Sequence, residues 1–300
     1  MKRAIAMISV FFLLAVASKP VIVQTPDDLM DPQGKLSLAS WTDTAGRTRA
    51  VVIAPGATLR GYRYAGGRPR APVLLLFGGS GNLVRRHDRA QRALARYASA
   101  LVTYDYRGYG YSSGPAHFAD LLADALREYD ALHEKRVVVL GYSMGTAVAE
   151  YVAERRHVTA LILAAPWTNL VATDEYEDPK HVYRLTPAAA KDADEIGMVK
   201  RIRAPLLVFQ GTRDDAIPPS QGPALEQIAA SPEKGFIPIV GAKHDWLLEN
   251  PQAQRAVGDF LVQVSRAKSS KGRRWRGFLS SHIFSAVLFS PMPCPISAPA

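Results

Sequence analysis

The sequence predicts an α/β fold built on a mostly parallel, twisted sheet of about eight strands, with helices on both faces. Two observations predict it. Short apolar runs alternate with helix-periodic segments from Val73 onward, and most of the runs stop at glycine, proline or aspartate. Residues 73–77 read as a buried strand that ends in Gly78-Gly79. A basic-faced helix is expected over 85–97, a strand over 100–104 and a helix over 117–133, where Phe118, Leu121, Leu122, Ala125, Leu126 and Tyr129 recur at helical spacing. A strand over 137–140, a small-residue helix over 146–155 and a strand over 160–164 follow. The last repeats are a strand at 206–210, a helix at 224–230, a strand at 235–240 and a helix at 251–264 with proline at its start. Ahead of them, 50–53 and 59–64 form an antiparallel pair turning at Pro55-Gly56, at one edge of the sheet.

Residues 166–199 interrupt the alternation. They are polar, carry Pro179 and Pro187, and have a short helix from Ala188. The segment is long for a crossover, and reads either as a small lid or as a helix with long loops.

Composition narrows the function. The 300 residues are 48% apolar and 21% charged, as in a globular protein. The net charge of +10 sits largely at the ends. Setting aside Lys2, Arg3 and the six basic residues of the C-terminal tail leaves 29 basic against 27 acidic residues, so the body does not carry the charge of a nucleic-acid binder. The lone Cys294 excludes an intramolecular disulfide, and scattered histidines argue against a metal cluster. No metal or organic cofactor is expected.

The ends have their own signatures. Lys2-Arg3, the apolar run 4–14 and Ala15-Val16-Ala17 have the layout of a signal peptide over 1–17. The expectation is export to a periplasm or secreted pool, with an uncleaved N-terminal membrane anchor as the alternative. Residues 18–41 are an N-terminal extension, and the main domain is read as 42–265. The tail 266–300 is basic, then apolar-aromatic, then proline-rich. It is expected to be disordered, with a weak membrane-surface contact through 266–290 as a second reading.

The chemistry-bearing motif is Gly141-Tyr142-Ser143-Met144-Gly145, between a predicted strand and a predicted helix. In that context G-x-S-x-G marks a nucleophile held on a strained turn. A serine hydroxyl needs a base, and the base needs an orienting carboxylate. On such a turn the acid and then the histidine follow the serine in the chain. His157, His181, His244 and His282 come later, and only His244 lies between the last strand and the last helix, at the sheet edge shared with Ser143. The acid lies in Gly211-Thr212-Arg213-Asp214-Asp215, where residue types leave Asp214 and Asp215 both open; the other is a turn former or a partner of Arg213. Two backbone donors for a developing oxyanion are expected at Met144 and, in the loop Gly78-Gly79-Ser80-Gly81, at Gly79, with Ser80 next. That loop lacks the G-K-[ST] and G-x-G-x-x-G patterns of phosphate and dinucleotide sites.

These motifs, together with Asp105-Tyr106-Arg107-Gly108-Tyr109-Gly110-Tyr111-Ser112-Ser113-Gly114, resemble the α/β-hydrolase superfamily over about 42–264. The likeness is greatest to small α/β-hydrolase domain-containing esterases and depalmitoylase-like proteins. The D-Y-R-G-Y-G-x-S-x-G segment is similar to a structural loop of that group. Gly211-Thr212-Arg213-Asp214 looks like its G-T-x-D, which implies Asp214 as the acid, and Gly241-Ala242-Lys243-His244 looks like its G-x-x-H. Relatives often carry His-Gly where this chain has Phe77-Gly78. The resemblance implies an α/β-hydrolase fold and a serine hydrolase (carboxylesterase or thioesterase) acting on a small-molecule or acyl-ester substrate. A serine peptidase of the same fold and a non-catalytic binding protein are the alternatives.

Overall fold

The structure, a computed structural model, describes residues 19–266. The strands are β1 (Val21–Gln24), β2 (Arg47–Ala54), β3 (Ala57–Ala65), β4 (Val73–Phe77), β5 (Ala100–Tyr104), β6 (Val137–Tyr142), β7 (Ala160–Ala164), β8 (Val182–Leu185), β9 (Leu206–Gly211) and β10 (Lys234–Ile239). The helices are α1 (Asp88–Ala95), α2 (Phe118–Asp130), α3 (Gly145–Arg155), α4 (Leu170–Glu177), α5 (Pro187–Asp192), α6 (Glu195–Val199), α7 (Gln221–Ile228) and α8 (Pro251–Arg266).

Eight strands form one sheet in the order β10-β9-β7-β6-β4-β5-β3-β2. Pairing is parallel from β10 to β5 and antiparallel at β3 and β2. Helices α1 and α8 pack together, while α2, α3, α6 and α7 pack successively on one another, giving two helical layers. All five residues of β4 and of β7 are buried, as both faces of a covered parallel strand must be. Burying each such leucine or isoleucine contributes about 1.5–3 kcal/mol. The edge strand β2 instead alternates: Val52 and Ala54 face inward, Val51 and Ile53 outward.

The chain crosses from β5 over β4 to reach β6, so the carboxyl ends of β4 and β6 bound a crevice where the direction of winding reverses. Register puts Phe77 opposite Gly141, Tyr142 opposite Ala164, Ala164 opposite Phe209 and Gly211 opposite Ile239. The loops carrying the predicted nucleophile, acid and base therefore leave one rim.

The structure departs from the sequence reading in several places, among them α7, which starts at Gln221 and ends at Ile228 in place of the helix expected over 224–230. The helix expected over 85–97 is only Asp88–Ala95, because the Asp105 carboxylate takes the Val84 N–H at 2.7 Å and holds the preceding residues in a turn. The insertion is not irregular. It contains α4, β8, α5 and α6, with Asn169 capping α4 through the Ala172 N–H at 3.1 Å and Thr186 capping α5 through Ala189 at 3.2 Å. Its strand β8 pairs in parallel with β1, far away in sequence, so the 18–41 extension and the insertion clasp each other. The extension also enters the body: Leu29 and Met30 belong to the core, and the Asp31 N–H donates to Tyr109 at 2.9 Å. Finally, α8 runs to Arg266, one residue into the segment read as tail. The stretch read as a signal peptide, 1–17, and the rest of the tail lie outside the described residues. Among those described, no helix is long and apolar enough to cross a membrane.

The D-Y-R segment fastens this architecture. Arg107 donates from Nε and Nη2 to both oxygens of Asp124, at 2.6 and 2.8 Å, and the two side chains are 4% and 3% exposed. Removing Asp124 takes two charge-assisted hydrogen bonds from a buried guanidinium and leaves it only the carboxylate of Asp120, whose oxygen lies 2.7 Å from Nη1. Asp124→Ala is expected to lower the unfolding free energy by about 3 kcal/mol, measured by urea denaturation.

Candidate active site

Ser143 follows β6 with φ +53°, the left-handed backbone that a tight strand-to-helix turn demands. The flanking glycines are required by space. A Cβ at Gly141 would stand 2.3 Å from the Gly145 carbonyl oxygen, and one at Gly145 would stand 2.3 Å from that of Phe77. The Ser143 N–H donates to Ala164 on β7 at 3.0 Å, and the Thr146 N–H closes the turn on the Ser143 carbonyl at 2.8 Å.

The structure brings Ser143, His244 and Asp214 together. His244 Nε2 lies 3.0 Å from Ser143 Oγ, and its Nδ1 lies 3.0 and 3.2 Å from the two Asp214 oxygens. Asp214 is 1% exposed, and its Oδ1 also accepts from the Ala216 and Ile217 N–H groups at 3.1 and 2.9 Å. These donors cast Asp214 as acceptor, which puts the His244 proton on Nδ1 and turns the Nε2 lone pair towards Ser143. Asp215 does not take Arg213, as one reading had it. It pairs with Lys243 at 2.8 Å and accepts the His244 N–H at 3.2 Å, steadying the histidine loop from outside.

Tyr142, an unconstrained position in the motif pattern, does more than fill space. Its hydroxyl donates to the His244 carbonyl at 2.7 Å, and its ring stacks on the imidazole at 5.4 Å. Burial raises the phenol's pKa, so it remains a donor.

The loop after β4 lies beside Ser143. A Cβ on Gly79 would approach Ser143 Cβ to 3.2 Å and Oγ to 3.7 Å. Of the predicted oxyanion donors, Met144 and Ser80 line the cleft, and Gly79 abuts the serine. The D-Y-R-G-Y-G segment props this loop. Asp105 holds the N–H groups of Val84 and Tyr111, at 2.7 and 3.0 Å, and the Tyr106 hydroxyl donates to the Gly78 carbonyl at 2.7 Å.

Ser143 and His244 open into a cleft of about 850 Å³. Its walls include Leu29 and Met30 from the extension, and Trp167, Leu170 and Tyr183 from the insertion. None of these was legible as a site residue, since both segments lie outside the local motifs. The lining is acidic: Asp28 and Asp31 come from the extension, Asp174, Glu177 and Asp178 from α4 and its end, and Asp215 and Asp245 from the two loops. No lysine or arginine is among the lining residues described. Lys243 offsets Asp215, and His181 Nδ1 lies 2.7 Å from an Asp178 oxygen.

Asp174 is pushed up to about 7, mainly by burial, with Glu177 and Glu175 adding repulsion against a weaker hydrogen bond from Gln24. The folded protein therefore holds a proton on Asp174 up to about pH 7, whereas an unfolded chain releases it near 3.8. The contribution of Asp174 to stability falls as pH rises through that interval and levels off above it. Asp174→Asn is expected to raise the thermal midpoint above wild type by a margin that widens from pH 5 to pH 7 and stays constant at pH 8, measured by scanning calorimetry.

Comparison with known proteins agrees with this fold. Residues 71–193 match the family described as the alpha/beta hydrolase fold. An uncharacterized protein of Mycobacterium tuberculosis strain H37Rv is 30% identical over 247 residues, covering 77% of this chain and 85% of that protein. Lysophosphatidylserine lipase ABHD12 of Danio rerio is 28% identical over 221 residues, covering 63% of this chain, which spans 58% of the lipase's length. The solved structure of Est1E from Butyrivibrio proteoclasticus with ferulic acid bound superposes with a TM-score of 0.59 at 21% identity, over 71% of this chain and 98% of that one, a likeness of fold. With a relative aligned along most of both sequences, and the strand order and serine turn in place, the chain belongs to the α/β-hydrolase family.

Proposed function

We propose that the protein is a serine hydrolase that cleaves carboxylic ester or thioester bonds through an acyl-Ser143 intermediate. The observation that carries this reading is the hydrogen-bonded line from Ser143 Oγ through His244 to buried Asp214, opening into a cleft. The lipase and esterase names among the relatives and structural neighbours support ester hydrolysis in general.

The chemistry follows from the geometry. His244 Nε2 takes the proton of Ser143 Oγ as that oxygen attacks the substrate carbonyl carbon. Negative charge moves to the carbonyl oxygen, where the N–H of Met144 and one from the Gly79-Ser80 loop receive it; each such donor is worth about 3 kcal/mol in the transition state. The tetrahedral species collapses as His244 returns the proton to the leaving alcohol or thiol. Water then attacks the acyl-serine with His244 again as base, releasing acid and restoring Ser143. Asp214 holds the imidazole tautomer throughout. The leader read over 1–17 extends the proposal to an exported enzyme.

The acidic lining selects among esters. An acyl chain carrying a carboxylate meets the like charges of the lining, whereas a neutral or cationic chain does not.

Two outcomes are expected. A fluorophosphonate probe labels wild type on Ser143, and Ser143→Ala keeps the fold while losing on the order of 10⁵-fold or more in kcat on p-nitrophenyl esters. Folded wild type that takes no label would defeat the proposal, and faster turnover of peptide amides than of esters would favour a peptidase. Secondly, kcat/KM for a neutral p-nitrophenyl ester exceeds that for an equally long acyl chain ending in carboxylate, and added salt narrows the gap, because screening weakens the repulsion.

A further inference from the structure

Beneath the serine turn lies a buried acid that the reaction does not consume. Thr146, in the first turn of α3, is fully buried. Its Oγ1 lies 2.5 Å from the Ser143 carbonyl oxygen and 2.5 Å from Glu195 Oε1. A hydroxyl has one proton and a carbonyl only accepts. Both contacts are hydrogen bonds only if Thr146 donates to Ser143 and Glu195 donates to Thr146, which requires a proton on Oε1. The other oxygen, Oε2, then accepts the Trp167 N–H at 3.2 Å, as the carbonyl oxygen of a carboxylic acid should. Glu195 is 1% exposed and has no cationic partner among the described residues. Burial raises its pKa well above the ordinary range. Glu150, one turn along α3 and fully buried with neither oxygen hydrogen-bonded, is raised likewise by burial.

The consequence lies in the peptide that follows Ser143. A trans peptide is planar, and its C=O and N–H point in opposite directions. Thr146 holds the Ser143 carbonyl down towards α3, so the Met144 N–H of the same plane is turned up into the cleft. We propose that protonated Glu195 is a positioning residue that, through Thr146, aims the Met144 N–H at the developing oxyanion and couples this turn to the cleft wall at Trp167. The proposal rests on the reading of Ser143 as nucleophile.

The test compares E195Q, E195L, T146S and T146V by kcat and KM on a neutral p-nitrophenyl ester, by fluorophosphonate labelling and by thermal unfolding. E195L and T146V are expected to lose roughly 10-fold in kcat with KM within about twofold, because a misaimed donor weakens the transition state more than the bound ester. E195Q and T146S are expected to rescue kcat to within about twofold of wild type, since the amide supplies a donor to Thr146 and an acceptor for Trp167, and serine keeps the hydroxyl. If E195L does not fold, the T146S and T146V pair decides. Wild-type kcat in E195L and T146V, or an equal loss in E195Q and E195L, would overturn the proposal. A wild-type protein that takes no label would instead overturn the hydrolase reading itself.

Discussion

The positive-φ turn at Ser143 is the constraint on which the rest of the site depends. It exists because Gly141 and Gly145 present no Cβ to the backbone atoms that crowd them, and because the Ser143 N–H and carbonyl are both tied, to Ala164 and to Thr146. The strain of that backbone is offset by the parallel sheet on one side and by α3 on the other. Once the turn is set, Oγ stands above the rim where β4, β7, β9 and β10 also end, and the remaining groups need only be delivered to the same edge.

Delivery relies on loops fastened to one another. The acid loop is bound to the histidine loop by the Arg213 N–H on the Ala242 carbonyl and by the Gly241 N–H on Thr212 Oγ1. Tyr142 reaches from the serine turn to the His244 carbonyl, so Ser143 and His244 share a support. On the far side, Asp105 and Tyr106 hold the Gly78-Gly79 loop from below. Backbone donors and acceptors satisfied by buried side chains make this rim rigid, and rigidity of the donors is what electrostatic stabilisation of a transition state requires.

The cleft itself is shaped by segments outside this frame. β1 and β8 form a two-stranded sheet between the N-terminal extension and the insertion, and the residues beside it wall the space over Ser143. The frame therefore holds the line from Ser143 through His244 to Asp214, and the clasped pair supplies the acidic and apolar walls of the cleft. The hydrogen-bonded line and the cleft walls are encoded in different stretches of the chain.

Much of the frame was determined locally and was readable from the sequence. The buried strands are runs of apolar residues, the serine turn is written by its glycines, and His244 is singled out by its place between the last strand and the last helix. Residue types alone left Asp214 and Asp215 open, and family resemblance pointed to Asp214. Only the fold separates them physically: Asp214 is buried against two backbone N–H groups and the imidazole, while Asp215 faces Lys243 at the surface. Tertiary structure also decided the pairing of β1 with β8, the entry of Leu29 and Met30 into the core, and the meeting of Glu195 with Thr146. Local periodicity and turn chemistry act over a few residues and leave a pattern there. Partners separated by dozens of residues leave none, because their contact is set by how whole elements pack.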